Sequence, residues 1–318
     1  MHVGVIGAGA LGRSYAAALT SAGCGVTLLA RRPAVGTFYA ARTRWPRMRR
    51  DGKPVISAGR RVSTEVLTEW PPCDVLLVTL RAEDLSDEMW QRLGALGAAV
   101  VVLSPIFSER AASAMRAHPT CFAATPSLVA DLQTATGEHV EASAELRVEY
   151  WIPPFSTTKL DRAAQGDARV REFVGCLNQG GIKTRFAKAL LGRSRSATLT
   201  FFPLQQAFAQ SPHLSDWNWS WLRRVSRAFR VSFEAGRRVG PRDFPLSVAA
   251  WSLRWPLVLW IARALLQSGI PGLAGFLEHH FGSKLQAQTR MFAESLKHDA
   301  DRLGLDRVAL EQLLLQTP

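Results

Sequence analysis

Short apolar runs alternate with an amphipathic segment over the first part of the chain. His2–Ile6 and Gly25–Ala30 are apolar and predict two strands, whereas Leu11–Ala22 between them predicts a helix. Cys73–Leu80 and Ala98–Leu103 are continuous apolar runs without alternation, which is typical of parallel strands covered on both faces. The pattern therefore predicts an α/β fold built on a parallel sheet.

The periodicity changes further along the chain. Val140–Tyr150 alternates strictly between apolar and polar residues, which predicts a half-exposed antiparallel strand that finishes the first domain. Later the pattern becomes helical, and Ala287–Leu303 predicts a helix that Gly304 ends. Asp306 is expected to cap the N-terminus of a last helix over Arg307–Leu315.

Two domains are expected from these patterns. The chain has 318 residues, of which 47% are hydrophobic, and this is enough for two separate cores. We predict an α/β domain over residues 1–185 and an all-helical domain over residues 186–318, which join near residues 183–192. The second domain is expected to serve substrate binding or dimerisation, and a homodimer is one expected form.

A glycine-rich turn lies between the first predicted strand and helix. Gly7, Gly9 and Gly12 form G-x-G-x-x-G in the strand–turn–helix setting that dinucleotide binding requires. The first glycine permits the turn, the second lets a pyrophosphate approach the backbone, and the third allows the helix to pack on the strand. The first domain is thus predicted to be a Rossmann-type domain. Its cofactor-binding turn comprises Gly7, Ala8, Gly9, Ala10, Leu11 and Gly12.

The end of the second strand indicates which dinucleotide binds. Arg31 and Arg32 follow it, where an NAD site carries an acidic residue for the ribose hydroxyls. Guanidinium groups pair with a 2′-phosphate, so this position favours NADPH/NADP+ over NADH. The alternative is that both arginines are solvated loop residues. At the carboxyl ends of the inner strands, the residues expected beside the nicotinamide are Thr79, Leu80, Arg81 and Ser104.

Charge and cysteine content narrow the function classes. The excess of 39 basic over 26 acidic residues gives +13, a field that suits nucleic acid, acidic lipids or an anionic small molecule. The basic run Arg42–Lys53 lacks a nucleic-acid-recognition pattern, so we expect no nucleic-acid partner. Four scattered cysteines and the adjacent His279 and His280 show no metal-ligand spacing, so no metal is expected. No leader segment is apparent before His2, and a reducing, cytoplasmic location is expected.

The second half contains a strongly apolar, tryptophan-rich stretch. Val248–Leu266 approaches membrane-spanning length, but two arginines and Pro256 interrupt it, so we predict no membrane span and a buried or partner-facing helix pair. Seven of the ten tryptophans lie at or after Trp151. They are expected either to pack in a core, to line a site for an aromatic substrate, or to form a subunit interface.

The N-terminal motifs resemble the ketopantoate reductase (2-dehydropantoate 2-reductase) family. The shared features are the GAGALG turn, an arginine after the second strand, RRDGKPV at Arg49–Val55 and LLVTLRA at Leu76–Ala82, and the resemblance covers about residues 1–150. It implies NADPH-dependent reduction of a carbonyl. In this family a Lys on the first helix of the second domain donates the proton, and a Glu near the C-terminal end orients the substrate.

Several positions depart from that family pattern. Ser194 stands where the family has the catalytic Lys, and Ser104 begins the Ser-Pro that replaces an Asn-Gly pair. Gln288 stands near the position of the Glu. The substrate-binding positions carried over from the resemblance are Thr198, Phe202, Ser283 and Gln288.

Replacement groups for the proton donor are available nearby in the sequence. The candidate catalytic residues are Arg193, Ser194 and Lys284. A Lys beside cations has a lowered pKa, so Lys284 can act as an acid. Alternatively, Lys284 is a surface residue. We therefore expect either an NADPH-dependent reductase of a C=O or C=N bond in a carboxylate-bearing or aromatic substrate other than ketopantoate, or a catalytically silent NADP(H)-binding sensor or partner protein.

Overall fold

The computed structural model describes residues 1–30, 36–48, 54–133, 146–154, 156–241, 244–268 and 273–315. The chain forms two compact units. The first comprises Met1–Ser104 and Ala114–Leu190, and the second comprises Pro105–Ser113 and Leu191–Pro318. The short segment Pro105–Ser113 groups with the second unit, although it lies within the predicted first domain. A domain boundary at residue 185 stays a prediction.

The first unit is built on an eight-stranded sheet. Its strands are β1 (His2–Ile6), β2 (Gly25–Leu29), β5 (Glu65–Leu67), β6 (Val75–Val78), β7 (Ala99–Val102), β8 (Cys121–Thr125), β11 (Thr158–Asp161) and β12 (Thr184–Ala187). They are ordered β12-β11-β8-β7-β6-β1-β2-β5. All neighbouring pairs run parallel except β8 and β11. The four central apolar runs predicted from sequence are confirmed as the buried strands β1, β2, β6 and β7.

A second sheet lies in the same unit. Its strands are β3 (Thr37–Met48), β4 (Pro54–Ser63), β9 (Val129–Gln133) and β10 (Arg147–Trp151), ordered β4-β3-β10-β9. β10 runs antiparallel to β9, as the alternating pattern predicted, but parallel to β3. Residues 140–145 of the predicted strand lie outside the described residues. The expectation that this strand finishes the first unit is wrong, because β11 and β12 follow it.

Four helices belong wholly or partly to the first unit. They are α1 (Ala10–Ser21), α2 (Asp87–Gly94), α3 (Glu109–Ala117) and α4 (Ala168–Gln179). The apolar face of α1 packs against β1, β2 and the second sheet, where Tyr15 and Leu19 are fully buried. The hydroxyl of Tyr15 lies 2.7 Å from the Thr158 hydroxyl, which lies 2.9 Å from that of Ser127, so this buried polar group has a partner.

The second unit is helical. Its helices are α5 (Leu190–Gln210), α6 (Trp219–Val239), α7 (Phe244–Ser252), α8 (Pro256–Ser268), α9 (Leu273–Leu277), α10 (Gln286–His298), α11 (Ala300–Leu303) and α12 (Arg307–Leu313), with a π-helical turn over Glu278–Lys284. Its core includes Phe208, Trp217, Leu222 and Phe229. The observed architecture confirms the predicted fold class of an α/β sheet region followed by a helical region.

Helix ends in the second unit follow the predicted signals. Gly304 adopts the left-handed conformation with φ of 61° and ends α11, and the Asp306 carboxylate accepts a hydrogen bond from the Ala309 N–H at 2.7 Å. The helix predicted over Ala287–Leu303 is divided at Asp299 into α10 and α11.

The apolar stretch Val248–Leu266 forms two helices, α7 and α8, because Pro256 begins a new helix. The alternative that this pair is buried is wrong, since much of its apolar surface is exposed. Within the described ranges, no helix has the length and apolar character that crossing a membrane requires.

Candidate cofactor site

The glycine turn between β1 and α1 is held by contacts that exclude side chains at two of its three glycines. Gly7 has a φ of 107°, and a Cβ there would lie 2.6 Å from the Thr79 hydroxyl. A Cβ at Gly12 would lie 2.0 Å from the carbonyl oxygen of Gly7. These two glycines therefore build the turn and press α1 against it.

Gly9 differs from both. No atom lies within 4 Å of the position of a Cβ at Gly9, and the residue is exposed at the start of α1. Its backbone is extended, and its carbonyl accepts the N–H of Arg13 at 3.0 Å. The first N–H groups of α1, from Ala10 and Leu11 onward, have no carbonyl one turn earlier within the helix. The space above Gly9 is thus an opening beside a helix N-terminus, which is the arrangement that binds the diphosphate of a dinucleotide.

Thr79, which follows β6, holds this turn through hydrogen bonds. Its hydroxyl lies 2.9 Å from the carbonyl oxygen of Ile6 and 3.1 Å from that of Gly7 and donates to these carbonyls. Its N–H donates to the Ile6 carbonyl at 2.9 Å.

Ser104 links the ends of β6 and β7 in a similar way, because its hydroxyl donates to the carbonyl of Leu80 at 2.5 Å. Arg81 is exposed and lies 3.8 Å from Glu83. Since β7, β6, β1 and β2 are neighbours, their carboxyl ends meet at one edge, where ligands of parallel sheets bind.

Sequence reasoning did not single out Arg13, which follows Gly12 on α1. Its side chain is 2% exposed, its Nε donates to the Ala8 carbonyl at 2.8 Å, and its guanidinium lies 4.9 Å from the centre of the Phe38 ring. Nη1 has no hydrogen-bond partner within the described part of the chain, and burial lowers the pKa of this guanidinium. A buried cation beside the turn stabilises an anion bound there. The available signal was a charged residue among the apolar positions of α1.

Two of the predicted cofactor contacts follow β2. Arg31 and Arg32 lie outside the described residues, directly after Ala30. The preference for NADPH over NADH therefore remains a prediction from sequence.

The candidate residues of α5 divide into accessible and buried positions. Arg193, Ser194 and Thr198 are half-buried. Phe202 is fully buried, and its ring centre lies 6.2 Å from that of Phe107. This environment favours a core role for Phe202 over contact with a substrate.

An ion-pair cluster around the buried Arg195 lies next to these positions in the second unit. Arg195 donates from Nη1 to the Glu109 carboxylate at 2.6 Å and from Nε to the Phe107 carbonyl at 3.1 Å. Arg302 also donates to Glu109, at 2.7 Å. Phe107 stacks on Phe292 with ring centres 4.4 Å apart. These contacts fix Pro105–Ser113 to the helical unit, and the shared Glu109 carboxylate offsets part of the positive charge of Arg195 and Arg302.

The remaining candidates lie near the π-helical turn. Ser283 and Lys284 are the last residues of that turn, and their side chains lie outside the described part of the structure. Gln288 is on α10 and is 6% exposed. The roles predicted for all three stay predictions. In the described ranges, no three His, Cys, Asp or Glu side chains come together to hold a metal ion.

A surface pocket of about 460 Å³ is formed on the second sheet of the first unit. Arg42, Arg44 and Trp151 contribute to its lining. None of the residues lining it belongs to the predicted cofactor or catalytic set.

The sequence matches the model of a known protein family over about its first third. The family described as ketopantoate reductase PanE/ApbA matches residues 3–104, which include the glycine turn, β6 and β7. No curated protein matches the sequence.

Solved structures match the whole chain at low identity. A 2-dehydropantoate 2-reductase from Geobacter metallireducens is 18% identical with a TM-score of 0.62, and the match covers 99% of this chain and 98% of that chain. A dimeric ketopantoate reductase from Staphylococcus aureus is 12% identical with a TM-score of 0.60, covering 99% and 96%. A D-mandelate dehydrogenase in complex with NADH is 11% identical with a TM-score of 0.57, covering 99% and 97%. The chain therefore has the fold of ketopantoate reductase-like dehydrogenases, and its segment 3–104 carries the sequence pattern of the ketopantoate reductase PanE/ApbA family.

Proposed function

We propose that this protein is an NADPH-dependent oxidoreductase of the ketopantoate reductase type, which reduces the C=O, or C=N, bond of a substrate other than ketopantoate. The observation that carries the proposal is the open space above Gly9, framed by Gly7 and Gly12, at the N-terminus of α1. Gly7 and Gly12 are closely packed, whereas Gly9 between them leaves a space at the helix N-terminus that a diphosphate can occupy.

The residues of this chain fit a dinucleotide in three ways. The N–H groups at the start of α1 would donate to the diphosphate, and the buried Arg13 would stabilise its charge. Arg31 and Arg32 would pair with the 2′-phosphate. The bound nicotinamide would supply the hydride for the reduction.

The proton would come from a side chain, since the family's Lys position holds Ser194. Lys284 is the proposed acid, with Arg193 and Ser194 holding the substrate oxygen. Thr198, Ser283 and Gln288 are the proposed substrate contacts.

Two features support a carboxylate-bearing or aromatic 2-oxo compound as the substrate. The net charge of +13 attracts anions. A D-mandelate dehydrogenase structure with a TM-score of 0.53 to this chain, 13% identical, is described with NADH and anilino(oxo)acetate, which is an aromatic 2-oxo carboxylate. The same fold also occurs in a dimeric enzyme, which supports a homodimer as the assembly to test by light scattering.

The test of the cofactor assignment is the substitution Arg31→Glu. Loss of a charge-assisted pair and the added repulsion should weaken NADPH binding about 10- to 100-fold, whereas the affinity for NADH should change little. Arg185→Glu, at an exposed position of β12, is the matched control and should alter neither affinity. Equal losses for both dinucleotides with Arg31→Glu would refute the 2′-phosphate contact.

The alternative function is a silent NADP(H)-binding protein, and the full burial of Phe202 at a position carried over as a substrate contact favours it. The two functions differ in turnover. Lys284→Ala should lower the rate of NADPH oxidation without changing NADPH affinity if Lys284 is the acid. Tight NADPH binding without oxidation by any 2-oxo acid, aromatic ketone or imine would favour the silent binder.

A further inference from the structure

Helix α8 turns its apolar side outward. Leu257, Trp260, Ile261 and Leu265 follow the spacing of one helix face and are 44% to 61% exposed. The one charged residue in the α8 sequence, Arg263, points the other way and donates to the carbonyls of Leu214 at 2.7 Å and Ser215 at 2.9 Å. We call Leu257, Trp260, Ile261 and Leu265 the α8 face. A surface helix of a globular protein ordinarily has the opposite orientation, so this face marks an interaction surface.

The apolar surface continues along the chain into α7. Val248, Trp251 and Trp255 are each about half exposed. Arginine side chains contact both indole rings. The Arg254 guanidinium lies 5.1 Å from the ring centre of Trp251, and the Arg230 guanidinium lies 5.9 Å from the ring centre of Trp255. Exposed indole rings stacked with guanidinium groups combine apolar area with positive charge.

A cationic stripe runs along α6, which packs against both α7 and α8. Its exposed arginines are Arg223, Arg227, Arg230, Arg237 and Arg238. Glu234 is the acidic residue of α6, and it lies 3.7 Å from Arg237. From residue 219 to residue 268 the sequence contains nine arginines, no lysine and two acidic residues, so this region accounts for seven of the thirteen net positive charges.

The charge distribution decides between two possible occupants of the α8 face. A second copy of this chain would bring two arginine stripes together and add to the repulsion between two chains of charge +13. An anionic phospholipid surface carries the complementary charge, and tryptophan and arginine are the residues that lie at the level of lipid headgroups. With 13 residues, α8 is about 20 Å long, which suits a helix lying in the plane of the interface.

We propose that the α8 face, together with the arginine stripe of α6, docks this protein on anionic phospholipid bilayers. The apolar side chains enter the headgroup region, and the arginines pair with lipid phosphates. This docking is separate from the cofactor chemistry and does not depend on it.

The test uses the full chain and sedimentation with vesicles of phosphatidylcholine alone or with about 30% phosphatidylglycerol. We expect binding to the anionic vesicles, a blue shift of tryptophan emission, and a loss of binding at high salt, since exposed charges are screened. Arg227→Gln/Arg237→Gln should lower the partition coefficient about tenfold or more, because each arginine near an anionic surface contributes about fivefold. Arg185→Gln, on β12, is the control and should leave binding unchanged.

The apolar half of the surface is tested by Leu257→Ser/Ile261→Ser. This variant should lose at least tenfold in vesicle binding while the protein stays folded, because both side chains are about half exposed. Val308→Ser changes an equally exposed apolar residue on α12 and should bind vesicles as the unmodified protein does.

Equal binding to neutral and anionic vesicles would overturn the proposal, as would binding that neither double variant reduces. Light scattering tests the other occupant. A dimer that Leu257→Ser/Ile261→Ser dissociates, in a protein that binds no vesicles, would show that a second copy covers this face and would also overturn the proposal.

Discussion

Two alanine substitutions in the glycine turn should separate folding from cofactor binding. At Gly12 the new Cβ would lie 2.0 Å from the Gly7 carbonyl oxygen and 2.7 Å from the Thr79 hydroxyl. The first of these is backbone, so α1 must move away from the turn. At Gly9 the same atom meets nothing within 4 Å, and the φ of −81° suits alanine.

The expected magnitudes follow from these contacts. Overpacking against backbone costs about 3 kcal/mol, and the better helix propensity of alanine at Gly12 returns about 1 kcal/mol. Gly12→Ala should therefore lower the free energy of unfolding by about 2 kcal/mol, or the Tm by about 4 to 8 °C. Gly9→Ala should lower it by less than about 1 kcal/mol, the cost of alanine at a helix N-cap.

Cofactor binding should depend on Gly9, the position at which alanine costs little stability. If the diphosphate approaches the backbone at Gly9, a methyl group there displaces it, and the Kd for NADPH should rise about tenfold or more although the protein stays folded. Urea unfolding followed by circular dichroism and NADPH fluorescence titration measure the two effects. Unchanged stability of Gly12→Ala would refute the packing argument, and unchanged NADPH affinity of Gly9→Ala would refute the site.

Two charge substitutions test contacts that were found only in the structure. Arg13→Met should weaken NADPH binding about fivefold while leaving stability equal or higher, since it removes a desolvated cation; unaltered affinity in the same titration would exclude Arg13 from the site. Glu109→Gln should destabilise the protein by about 2 kcal/mol, because the buried Arg195 and its neighbour Arg302 lose their shared carboxylate. Glu294→Gln, at an exposed ion pair, is the control for urea unfolding and should change the free energy of unfolding by less than about 0.5 kcal/mol. Equal effects at both sites would contradict the stabilising role of Glu109.

Local patterns were sufficient to predict the β1–turn–α1 segment and the inner strands of the first sheet. β1, the turn and α1 are contiguous, and the glycines at Gly7 and Gly12 are required by contacts within that short segment and with Thr79. Buried strands such as β6 and β7 could be predicted because both faces are covered, which leaves a continuous apolar run.

Long-range pairing explains most of what the sequence did not reveal. The second sheet depends on the parallel pairing of β3 with β10, in which Tyr39 lies opposite Arg147. The attachment of Pro105–Ser113 to the helical unit depends on Arg195 meeting Glu109, 86 residues away. Periodicity reports which residues share a face of one element, and it does not report which distant element that face meets.

The orientation of α8 shows a second limit of periodicity. The apolar content of Val248–Leu266 predicted burial or a partner, and the same pattern fits either a core helix or an interface helix. The structure distinguishes them through one charged residue, because Arg263 is anchored to Leu214 and Ser215 and so directs the apolar side outward.

The most direct test of the central claim is a titration of the unmodified protein with NADPH and with NADH, followed by NADPH oxidation in the presence of 2-oxo acids, aromatic ketones and imines. The glycine turn predicts saturable dinucleotide binding, and Arg31 and Arg32 predict that NADPH binds more tightly than NADH. Ser194 at the family's Lys position predicts oxidation of NADPH by a member of this panel other than ketopantoate. Failure to bind either dinucleotide would contradict the account at its base, because the opening above Gly9 would then have no ligand.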